Sequence, residues 1–367
     1  MPLLTGLRQR FAVEEPFGGL RIACCLHVTA ETAVLAGLLQ AGGARVSLAA
    51  SNPLSTQDDI AAAMADGDVA VFARAGVDRG TYYRHIEAAL GDGPDLVVDD
   101  GGDLVQTLHT NLPALAKNVR GGCESTTTGV LRLRRMATEG ALAFGMYAAN
   151  DTPAKRLLDN GYGTGQSVLD GIVRATNTLL AGKTVVVAGF GSSGAAIAAR
   201  AAGLGAQVIV TEVDPVRALD AALRGFHVSP MASAAERGDI FITATGSVDV
   251  ITAEHLERMR DGAILANAGH FDAEISVDAL TGLAVAVHQD VRPHVDGYEL
   301  SDGRTLLLLA EGRVVNLVAG EGHPAEVMDL AFGIIALSLA RAAVAGLGTG
   351  VHEVPADIDA EAARLVL

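Results

Sequence analysis

A glycine-rich turn in the middle of the chain has the residue types and spacing that bind the phosphates of a dinucleotide. Gly189, Gly191 and Gly194 follow an apolar run and open a stretch of small residues with helical spacing. The first glycine permits a tight turn, the second lets the backbone approach a pyrophosphate, and the third lets helix and strand pack closely. The N–H groups at the start of the helix then face the anion. The pattern predicts a nicotinamide dinucleotide site, with an ordinary glycine-rich strand–helix turn as the alternative.

An acidic residue after the next predicted strand indicates which dinucleotide would bind. Glu212 stands 21 positions after Gly191, in the segment VTEVD. A carboxylate there accepts hydrogen bonds from the adenosine ribose, which favours NAD over NADP. Arg217 could pair with a 2′-phosphate, but a solvated helix residue is the better interpretation because Glu212 would repel that phosphate.

Polar side chains also cluster after other predicted strands. His27 and Thr29 follow the first strand, and Asp100 begins the segment DGGD after the fourth. Ligands bind at the carboxyl ends of the strands in open α/β sheets, so these clusters predict a second binding site. Helix capping also explains Thr29 and Asp100, and for Ser55 and Asp58 it is the better interpretation.

Two further segments carry side chains suited to acid–base chemistry. Lys155 and Asp159 are four residues apart and share one face of a predicted helix, where a surface ion pair is the plainer interpretation. His270 lies between Gly269 and Phe271, shortly after the end of a predicted strand. Of the histidines singled out, it is the one least typical of a purely structural role.

The spacing of apolar residues predicts the elements that position these groups. Strand and helix patterns alternate over the first hundred or so residues and again from about residue 165, which predicts two parallel sheets covered by helices. The predicted strands are 19–25, 45–49, 69–73, 95–98, 184–188, 207–210, 240–244 and 263–267. The predicted helices are 29–39, 57–64, 167–180, 193–202 and a buried helix over 330–340. Glycines between 160 and 165 predict a hinge.

Composition excludes several classes of protein. Lys and Arg number 27 against 43 Asp and Glu, a net charge of −16. This balance argues against a nucleic-acid binder and against an anionic membrane surface. Three cysteines exclude a disulfide scaffold, and the adjacent pair suits a buried strand better than a metal site. The first residues lack an apolar leader, so a cytoplasmic enzyme is expected.

Many segments, in their order along the chain, resemble the S-adenosyl-L-homocysteine hydrolase family. They include HVTAETAVL, SNPLSTQD, VVDDGGDL, ESTTTGVLRL, NDTPAKRLLDNGYGTGQS and NAGHFDAEI, and the resemblance covers most of residues 20 to 330. It implies two doubly wound, parallel-sheet (Rossmann-like) domains, with the NAD domain inserted into the substrate domain. The expected substrate-binding and catalytic domain is 1–162 with 324–367, and the expected NAD-binding domain is 163–323.

The resemblance also implies a reaction that is redox-neutral overall. NAD⁺ oxidises the 3′-hydroxyl of an adenine nucleoside to a ketone, a base removes the acidified C4′ proton, and the 5′ substituent leaves by β-elimination. Addition of water and reduction of the ketone would complete a hydrolysis. The implied assembly is a homo-oligomer, a dimer or tetramer, with no nucleic-acid or membrane partner.

The family's site residues carry over to matching positions of this chain. The implied catalytic residues are His27 and His270 at the 5′ leaving group or water, Asp100 at C4′ and C5′, Lys155 at the 3′-hydroxyl, and Asp159 at the ribose. The implied substrate contacts are Thr29, Glu31, Ser125, Thr126, His323 and Met328. The implied NAD contacts are Thr127, Thr128, Asn160, Gly189, Gly191, Gly194, Glu212, Thr245, Asn267 and Asn316. No metal ligands are implied.

Some positions depart from the family. Ser125 stands where the second acid of a Glu-Glu-Thr-Thr-Thr segment is usual, and Glu321 replaces a methionine near the adenine loop. Other replacements are Ser51, Asp59, Arg74, Arg84, His85 and Arg217. The family's C-terminal tail, which reaches a neighbouring subunit's NAD site, is expected to be missing.

These departures concentrate around the expected 5′ substituent and favour a divergent nucleoside dehydratase. Such an enzyme would expel a 5′-hydroxyl as water and leave a 4′,5′-alkene, as in specialised nucleoside or antibiotic metabolism. Hydrolysis of S-adenosylhomocysteine to adenosine and homocysteine is the alternative. A catalytically silent nucleoside- or NAD-binding regulator is a third interpretation, and a plain hydroxy acid or amino acid dehydrogenase is a fourth.

Overall fold

A computed structural model describes residues 1–367 and divides them into two compact units. The first unit comprises Met1–Leu157 and Ala325–Leu367, and the second comprises Leu158–Pro324. The predicted boundaries lie at 162/163 and 323/324. Each unit has its own sheet, so the second is an insertion in the chain of the first.

Fifteen strands, numbered along the whole chain, form the two sheets. They are β1 (Arg21–Leu26), β2 (Arg45–Ala50), β3 (Ala70–Phe72), β4 (Leu96–Asp99), β5 (Gly121–Glu124), β6 (Gly145–Ala148), β7 (Thr184–Ala188), β8 (Gln207–Thr211), β9 (His227–Val228), β10 (Ile240–Thr243), β11 (Ile264–Asn267), β12 (Ala284–Arg292), β13 (Val295–Leu300), β14 (Thr305–Leu309) and β15 (Gly350–His352). All eight predicted strands are present to within two residues at each end. β5, β6, β9, β12, β13, β14 and β15 were not predicted.

Seventeen α-helices cover these sheets. They are α1 (Pro2–Glu14), α2 (Ala30–Ala41), α3 (Asp58–Asp66), α4 (Arg79–Leu90), α5 (Asp103–Asn111), α6 (Pro113–Ala116), α7 (Thr127–Thr138), α8 (Pro153–Lys155), α9 (Thr164–Thr176), α10 (Ser192–Gly203), α11 (Pro215–Leu223), α12 (Met231–Ala235), α13 (Ala253–Leu256), α14 (Val277–Leu283), α15 (Val315–Val318), α16 (Ala325–Ala345) and α17 (Ala356–Val366). Short 3₁₀ turns lie at Pro53–Ser55, Ala149–Asp151 and Ala310–Gly312.

The first unit is a seven-stranded sheet with the order β15-β6-β5-β4-β1-β2-β3, and every pairing is parallel. The central strands are buried on both faces, as their continuous apolar runs require. Their carboxyl ends therefore meet at one edge, where the loops after β1, β2, β4 and β5 carry the polar segments of the sequence.

The second unit is an eight-stranded sheet with the order β12-β13-β14-β11-β10-β7-β8-β9. Its six strands from β14 to β9 are paired in parallel, but β12, β13 and β14 pair antiparallel. The predicted parallel arrangement is confirmed for these six strands, whereas the antiparallel edge was not predicted. Only Pro293 and His294 separate β12 from β13, and so short a connection can join only antiparallel strands.

The segment predicted as a hinge is helical. Arg156–Gly163 is a π-helix that continues directly into α9. Helix α9 ends at Asn177 rather than near residue 180, because Asn177 adopts a left-handed conformation (φ 55°) that terminates the helix.

Helix α16 has the length and apolar composition of a membrane span, but 78% of its most apolar window is buried inside the fold. It is the buried helix predicted over 330–340. The buried Asp329 carboxylate accepts hydrogen bonds from the backbone N–H groups of Leu3 (2.9 Å) and Leu4 (2.8 Å). These are unpaired donors of the first turn of α1, so one side chain ties the two helices together.

Candidate active site and cofactor site

His27 follows β1 and is held by a serine of the next loop. Its Nδ1 lies 2.6 Å from Ser55 Oγ, which in turn donates to the carbonyl of Asn52 (3.2 Å). Ser55 Oγ therefore accepts a hydrogen bond from the Nδ1–H group of His27. The other ring nitrogen, Nε2, is the one that faces Asp100. Nε2 lies 3.6 Å from Asp100 Oδ1, so these two side chains form a potential acid–base pair.

The helix-capping interpretations after β2 and β4 are wrong, and the one after β1 holds for the position of Thr29 but not for a capping bond. Ser55 orients His27, and Asp58 accepts a hydrogen bond from the N–H of Ala75 (2.7 Å). Thr29 occupies the N-cap position of α2 but makes no capping bond. Asp100 does not cap α5, because Gly102 occupies that N-cap.

The loop after β4 presents Asp100 through a tight backbone turn. Gly102 has φ +83°, a left-handed conformation that side chains rarely adopt. Ser125 Oγ donates to Asp100 Oδ2 (2.8 Å), so a neutral hydroxyl contacts this carboxylate. Arg132 from α7 donates to the carbonyl of Gly101 (3.1 Å) and to Asp103 (2.7 Å), which fixes the loop.

Two fully buried acids lie directly beneath Asp100, and sequence reasoning assigned neither a role. Asp99 ends β4, Glu124 ends β5, and the two are opposite each other in the parallel register. Burial raises the pKa of Asp99 to about 7 and the pKa of Glu124 well above its ordinary value. An acid at the end of an otherwise apolar strand run was the available signal for both.

Lys155 and Asp159 are both more than nine-tenths buried, so neither belongs to a surface ion pair. Lys155 Nζ donates to Asn150 Oδ1 (2.8 Å), and Asn150 Nδ2 donates to Thr127 Oγ1 (3.0 Å). Asn150 therefore positions the ammonium group, a role that the sequence alone did not indicate.

Thr126 has a structural task that its predicted ribose contact did not include. Its hydroxyl accepts from the N–H of Gly129 (3.0 Å) as the N-cap of α7 and donates to Glu124 Oε1 (2.8 Å).

The remaining predicted contacts occupy half-buried positions in helices. They are Glu31 in α2, Thr128 in α7, Asn160 in the π-helix and Met328 in α16.

The glycine turn of the second unit lies between β7 and α10, as predicted. Gly189 has φ +95°, and a Cβ there would lie 2.7 Å from the carbonyl oxygen of Ala244. A Cβ on Gly194 would lie 2.0 Å from the carbonyl oxygen of Gly189. A Cβ on Gly191 would meet only the Arg217 guanidinium, at 3.8 Å. Packing thus requires the outer two glycines, whereas the middle one leaves open space beside the helix N-terminus.

Two side chains of this unit fit the remaining parts of NAD. Glu212 lies after β8 and accepts from the N–H groups of Phe190 (2.7 Å), Val213 (2.7 Å) and Asp214 (2.9 Å), which hold its carboxylate at the glycine turn. Oε2 accepts only from Phe190 and keeps a further lone pair for a ribose hydroxyl, whereas both lone pairs of Oε1 are used. Asn316 donates to Ser167 Oγ (3.1 Å), but its Oδ1 is buried without a partner. This acceptor suits an amide donor such as a carboxamide.

Buried polar side chains shape the loops after β10 and β11. Glu274 accepts from the backbone N–H groups of Thr245 (2.9 Å) and Gly246 (2.8 Å) and from the Thr245 hydroxyl (2.7 Å). The Asn267 amide accepts from the N–H of Gly269 (2.7 Å) and donates to the carbonyl of Phe271 (2.8 Å). Asn267 therefore holds the loop that carries His270, and all of its hydrogen-bonding groups are used within the chain.

His323 lies in the loop between α15 and α16. Its Nδ1 is 3.5 Å from Asp159 Oδ2 and its Nε2 is 3.2 Å from Thr164 Oγ1. The neighbouring Glu321 pairs with Arg174 at 2.6 Å. Both ends of this histidine ring are thus fixed by side chains of the second unit.

Two family models match most of the chain. Residues 1–114 match a model described as S-adenosyl-L-homocysteine hydrolase, and residues 160–322 match a model described as its NAD binding domain. The second unit is accordingly an NAD-binding domain, in agreement with the prediction of this cofactor.

Comparison with known proteins extends the likeness to the whole chain. It is 54% identical over 370 residues to "Adenosylhomocysteinase" of Aquifex aeolicus, with 100% of this chain and 88% of that protein covered. It is 51% identical over 369 residues to "S-inosyl-L-homocysteine hydrolase" of Methanopyrus kandleri, with 100% and 87% covered. The structure of a pyruvate reductase of Chlamydomonas reinhardtii, 13% identical, matches with a TM-score of 0.51 over 90% of this chain and 98% of its own. That likeness concerns the fold alone.

Proposed function

The chain belongs to the S-adenosyl-L-homocysteine hydrolase family, and from this premise we propose that it hydrolyses S-adenosyl-L-homocysteine to adenosine and homocysteine. It is an adenosylhomocysteinase-like, NAD-dependent enzyme. The observation that carries the proposal is the pairing of His27 Nε2 with Asp100 Oδ1 at 3.6 Å, at the carboxyl end of the first unit's sheet. We place this reaction in the cytoplasm, where the three free, buried cysteines stay reduced.

When bound, NAD supplies a reversible oxidation at the 3′ carbon of the ribose, which makes the neighbouring C4′ proton acidic. We assign Lys155 to the proton of the 3′-hydroxyl, because Asn150 holds its Nζ in a fixed, buried position. The roles that the resemblance implies for Asp159, His270 and His323 remain part of this proposal.

Asp100 and His27 carry the elimination in this scheme. The Asp100 carboxylate takes the C4′ proton, the electron pair of that bond forms the C4′–C5′ double bond, and the C5′–S bond breaks. His27 enters this step as the imidazolium, with a proton on each ring nitrogen, and donates its Nε2 proton to the departing sulfur, which leaves as the thiol. In the second half of the reaction, water adds to the double bond. Its oxygen bonds to C5′ while His27 takes one of its protons, and Asp100 returns its proton to C4′. Ser55 keeps Nδ1 engaged throughout, so Nε2 is the nitrogen that transfers protons.

The preference for a nucleoside dehydratase gains no support from the relatives, which are named as hydrolases of nucleosyl-homocysteines. One of its sequence arguments was Ser125, but that hydroxyl makes a 2.8 Å hydrogen bond to Asp100 and so supports the same acid–base group. Hydrolysis, the alternative interpretation of the sequence, is therefore the function we propose.

The purine base is the least determined part of the substrate. The relative named for S-inosyl-L-homocysteine is 51% identical to this chain and the one named for the adenosyl compound is 54% identical. The two compounds differ only in the 6-substituent of the purine. We propose the adenosyl compound as the preferred substrate and include the inosyl compound in the test.

The test is thiol release by the purified, NAD-loaded protein. S-adenosyl-L-homocysteine, S-inosyl-L-homocysteine and adenosine are supplied separately, free thiol is measured with a chromogenic reagent, and nucleosides are separated by chromatography. We expect homocysteine and adenosine from the first compound, released faster than thiol from the second. Formation of a 4′,5′-alkene from adenosine without thiol release from either thioether would instead support the dehydratase.

Asp100→Asn supplies the variant that links the activity to the site. We expect its rate of thiol release to fall by about 10²- to 10⁴-fold, the usual contribution of a general acid or base. Asp66→Asn, an exposed aspartate at the end of α3, is the matched control and should keep the wild-type rate. Equal rates for the two variants would rule out the role of Asp100.

A further inference from the structure

Three further carboxyl groups lie close to Asp100 of the proposed acid–base pair. We call the four groups the acid cluster: Asp99, Asp100, Asp103 and Glu124. Asp99 and Glu124 are both 0% exposed and face each other as register partners at the ends of β4 and β5. A buried carboxylate is costly unless a cation or several hydrogen bonds compensate its charge.

Within the first unit, few charged or titratable groups contact the cluster, and none of the cations contacts its two buried members. They are Arg132 of α7, which pairs with Asp103, His27 after β1, which faces Asp100, Tyr82 of α4, which donates to Asp103, and the Cys25 thiol of β1 opposite Asp99. No Lys, Arg or His nitrogen lies within 4.0 Å of Asp99 or Glu124. Like charges that close in a low dielectric cannot both ionise at neutral pH, so this pair holds at least one proton.

The hydrogen bonds distinguish the two carboxyl groups. Asp99 accepts on both oxygens, from the N–H of Asp100 at Oδ1 (3.0 Å) and from the N–H of Val105 at Oδ2 (2.8 Å). This is the arrangement of a carboxylate.

Glu124 concentrates its donors on one oxygen. Oε1 accepts from the N–H of Gly101 (3.0 Å) and from the N–H (2.8 Å) and hydroxyl (2.8 Å) of Thr126. Oε2 is buried and has no hydrogen-bond partner. A buried charge without a partner costs far more than a buried hydroxyl without one, so this arrangement favours a neutral carboxylic acid whose hydroxyl is Oε2.

Tight packing keeps this carboxyl group in place. A Cβ on Gly129 would lie 2.1 Å from Glu124 Cδ and 2.3 Å from each of its oxygens. The carboxyl group therefore lies against the backbone of the first turn of α7. The carboxyl group has no room to move to a second, solvated position. Only its present neighbours can therefore stabilise its charged or its neutral form.

We propose that Glu124 is a neutral carboxylic acid, protonated on Oε2, and that it is a positioning residue that leaves Asp100 as the charged group of the site. The catalytic part of this inference rests on the proposed function. An ionised Glu124 would add a second negative charge near Asp100 and would raise the affinity of Asp100 for a proton. At neutral pH Asp100 would then already hold a proton before the reaction, and it could not take the proton of C4′.

Infrared spectroscopy of the NAD-loaded wild type and of Glu124→Gln tests the protonation state without any substrate. At pH 7 the wild type should show a carboxylic acid C=O stretching band that the variant lacks, and this band should disappear only in alkaline solution. A difference spectrum with no such band at pH 7 would overturn the inference. Because no turnover is involved, this outcome is independent of whether thiol release is observed.

Stability and the pH profile provide the second readout. Glutamine matches a neutral acid in shape and keeps the acceptor at Oε1, so Glu124→Gln should fold with a Tm within about 2 °C of wild type. Asp99→Asn is the matched control and should have a lower Tm, because its NH₂ would meet a backbone N–H that the carboxylate accepts. Glu124→Gln should also release thiol within threefold of the wild-type rate at pH 7 and lose the alkaline decline that ionisation of Glu124 imposes.

Two results would contradict the inference. One is a Glu124→Gln variant that fails to fold or melts below Asp99→Asn. The other is a folded Glu124→Gln variant whose thiol release falls more than a hundredfold across the whole pH range, since Glu124 would then act as an anion. If the wild type releases no thiol, the proposed function fails and the infrared result alone decides the protonation of Glu124.

Discussion

Replacement of Gly191 by alanine should separate cofactor binding from folding. Gly191 has φ −72° and ψ −171°, an extended conformation open to any residue, and an added Cβ has no neighbour closer than 3.8 Å. Within the protein, the methyl group therefore clashes with nothing. Alanine also restricts the unfolded chain, so the free energy of unfolding of the NAD-free protein should stay unchanged or rise by about 0.4–1 kcal/mol.

The affinity for NAD should fall in the same variant. The space left by Gly191 is where a pyrophosphate approaches the N-terminus of α10, and a methyl group there keeps the phosphate from one backbone N–H. Loss of one hydrogen bond to a charged group costs about 1.5–3 kcal/mol. That corresponds to a Kd weakened roughly ten- to hundredfold.

Calorimetric titration of the NAD-free protein, together with urea unfolding, measures both quantities. Gly203→Ala is the matched control, since Gly203 ends the same helix with no atom within 4 Å of an added Cβ. It should raise the free energy of unfolding by a similar amount and leave the affinity for NAD unchanged. Gly194→Ala should instead lower the free energy of unfolding by about 1–3 kcal/mol, because its Cβ would lie 2.0 Å from a carbonyl oxygen. A Gly191→Ala variant that binds NAD within threefold of wild type would refute the assignment of this space to the pyrophosphate.

Three other outcomes follow from the same structure. Asp329→Ala should lower the free energy of unfolding by about 1–3 kcal/mol in urea titrations, because two N–H groups of α1 lose their acceptor, while thiol release by the folded protein is kept. Lys155→Met should lower the rate of thiol release by about 10²- to 10⁴-fold, and Lys117→Met, an exposed lysine, should leave it unchanged. As pH rises above about 4.5, wild-type stability should lose a contribution that Glu124→Gln lacks, because burial raises the pKa of folded Glu124 well above the ordinary value of 4.5 at which the unfolded chain releases the proton. Parallel stability curves for those two proteins would contradict this.

The cofactor turn and the two α/β series could be predicted from the sequence because short-range patterns determine them. The order of strand, glycines, helix, strand and acid fits within about 30 residues, and the structure has β7, α10 and Glu212 at the predicted places. Gly194 packs within its own strand–turn–helix unit, whereas Gly189 also packs against Ala244 in the loop after β10. Such a unit leaves few alternatives for where these residues lie.

The hairpin at the edge of the second sheet was missed for a physical reason. Most of β12 is exposed, and its polar segment HQDVR shows no buried face that would produce an apolar pattern. Its pairing with β13 depends on the short turn before Val295 and on the neighbouring β14. A strand held by its partners rather than by its own apolar residues has little signal in the sequence.

The buried polar residues of the candidate site were missed because their partners are distant in sequence. Ser55 gains its role from a ring 28 residues away, and Glu274 gains its role from backbone groups 28 and 29 residues away. Their own segments show only a polar residue beside a loop, which capping explains equally well. Only the fold brings each hydroxyl or carboxylate to the group that it positions.

The two units solve the problem of a buried acid in different ways, and the difference bears on their chemistry. Glu274 is 1% exposed, yet backbone and hydroxyl donors reach both of its oxygens, and these hydrogen bonds hold a loop. Glu124 is equally buried but has donors on one oxygen only, and it faces another acid. Donors on both oxygens stabilise a fixed anion, whereas an oxygen without donors favours a bound proton. The second unit thus uses its buried acid to shape a cofactor loop, while in the first unit a proton on Glu124 allows the negative charge to stand on Asp100, beside His27.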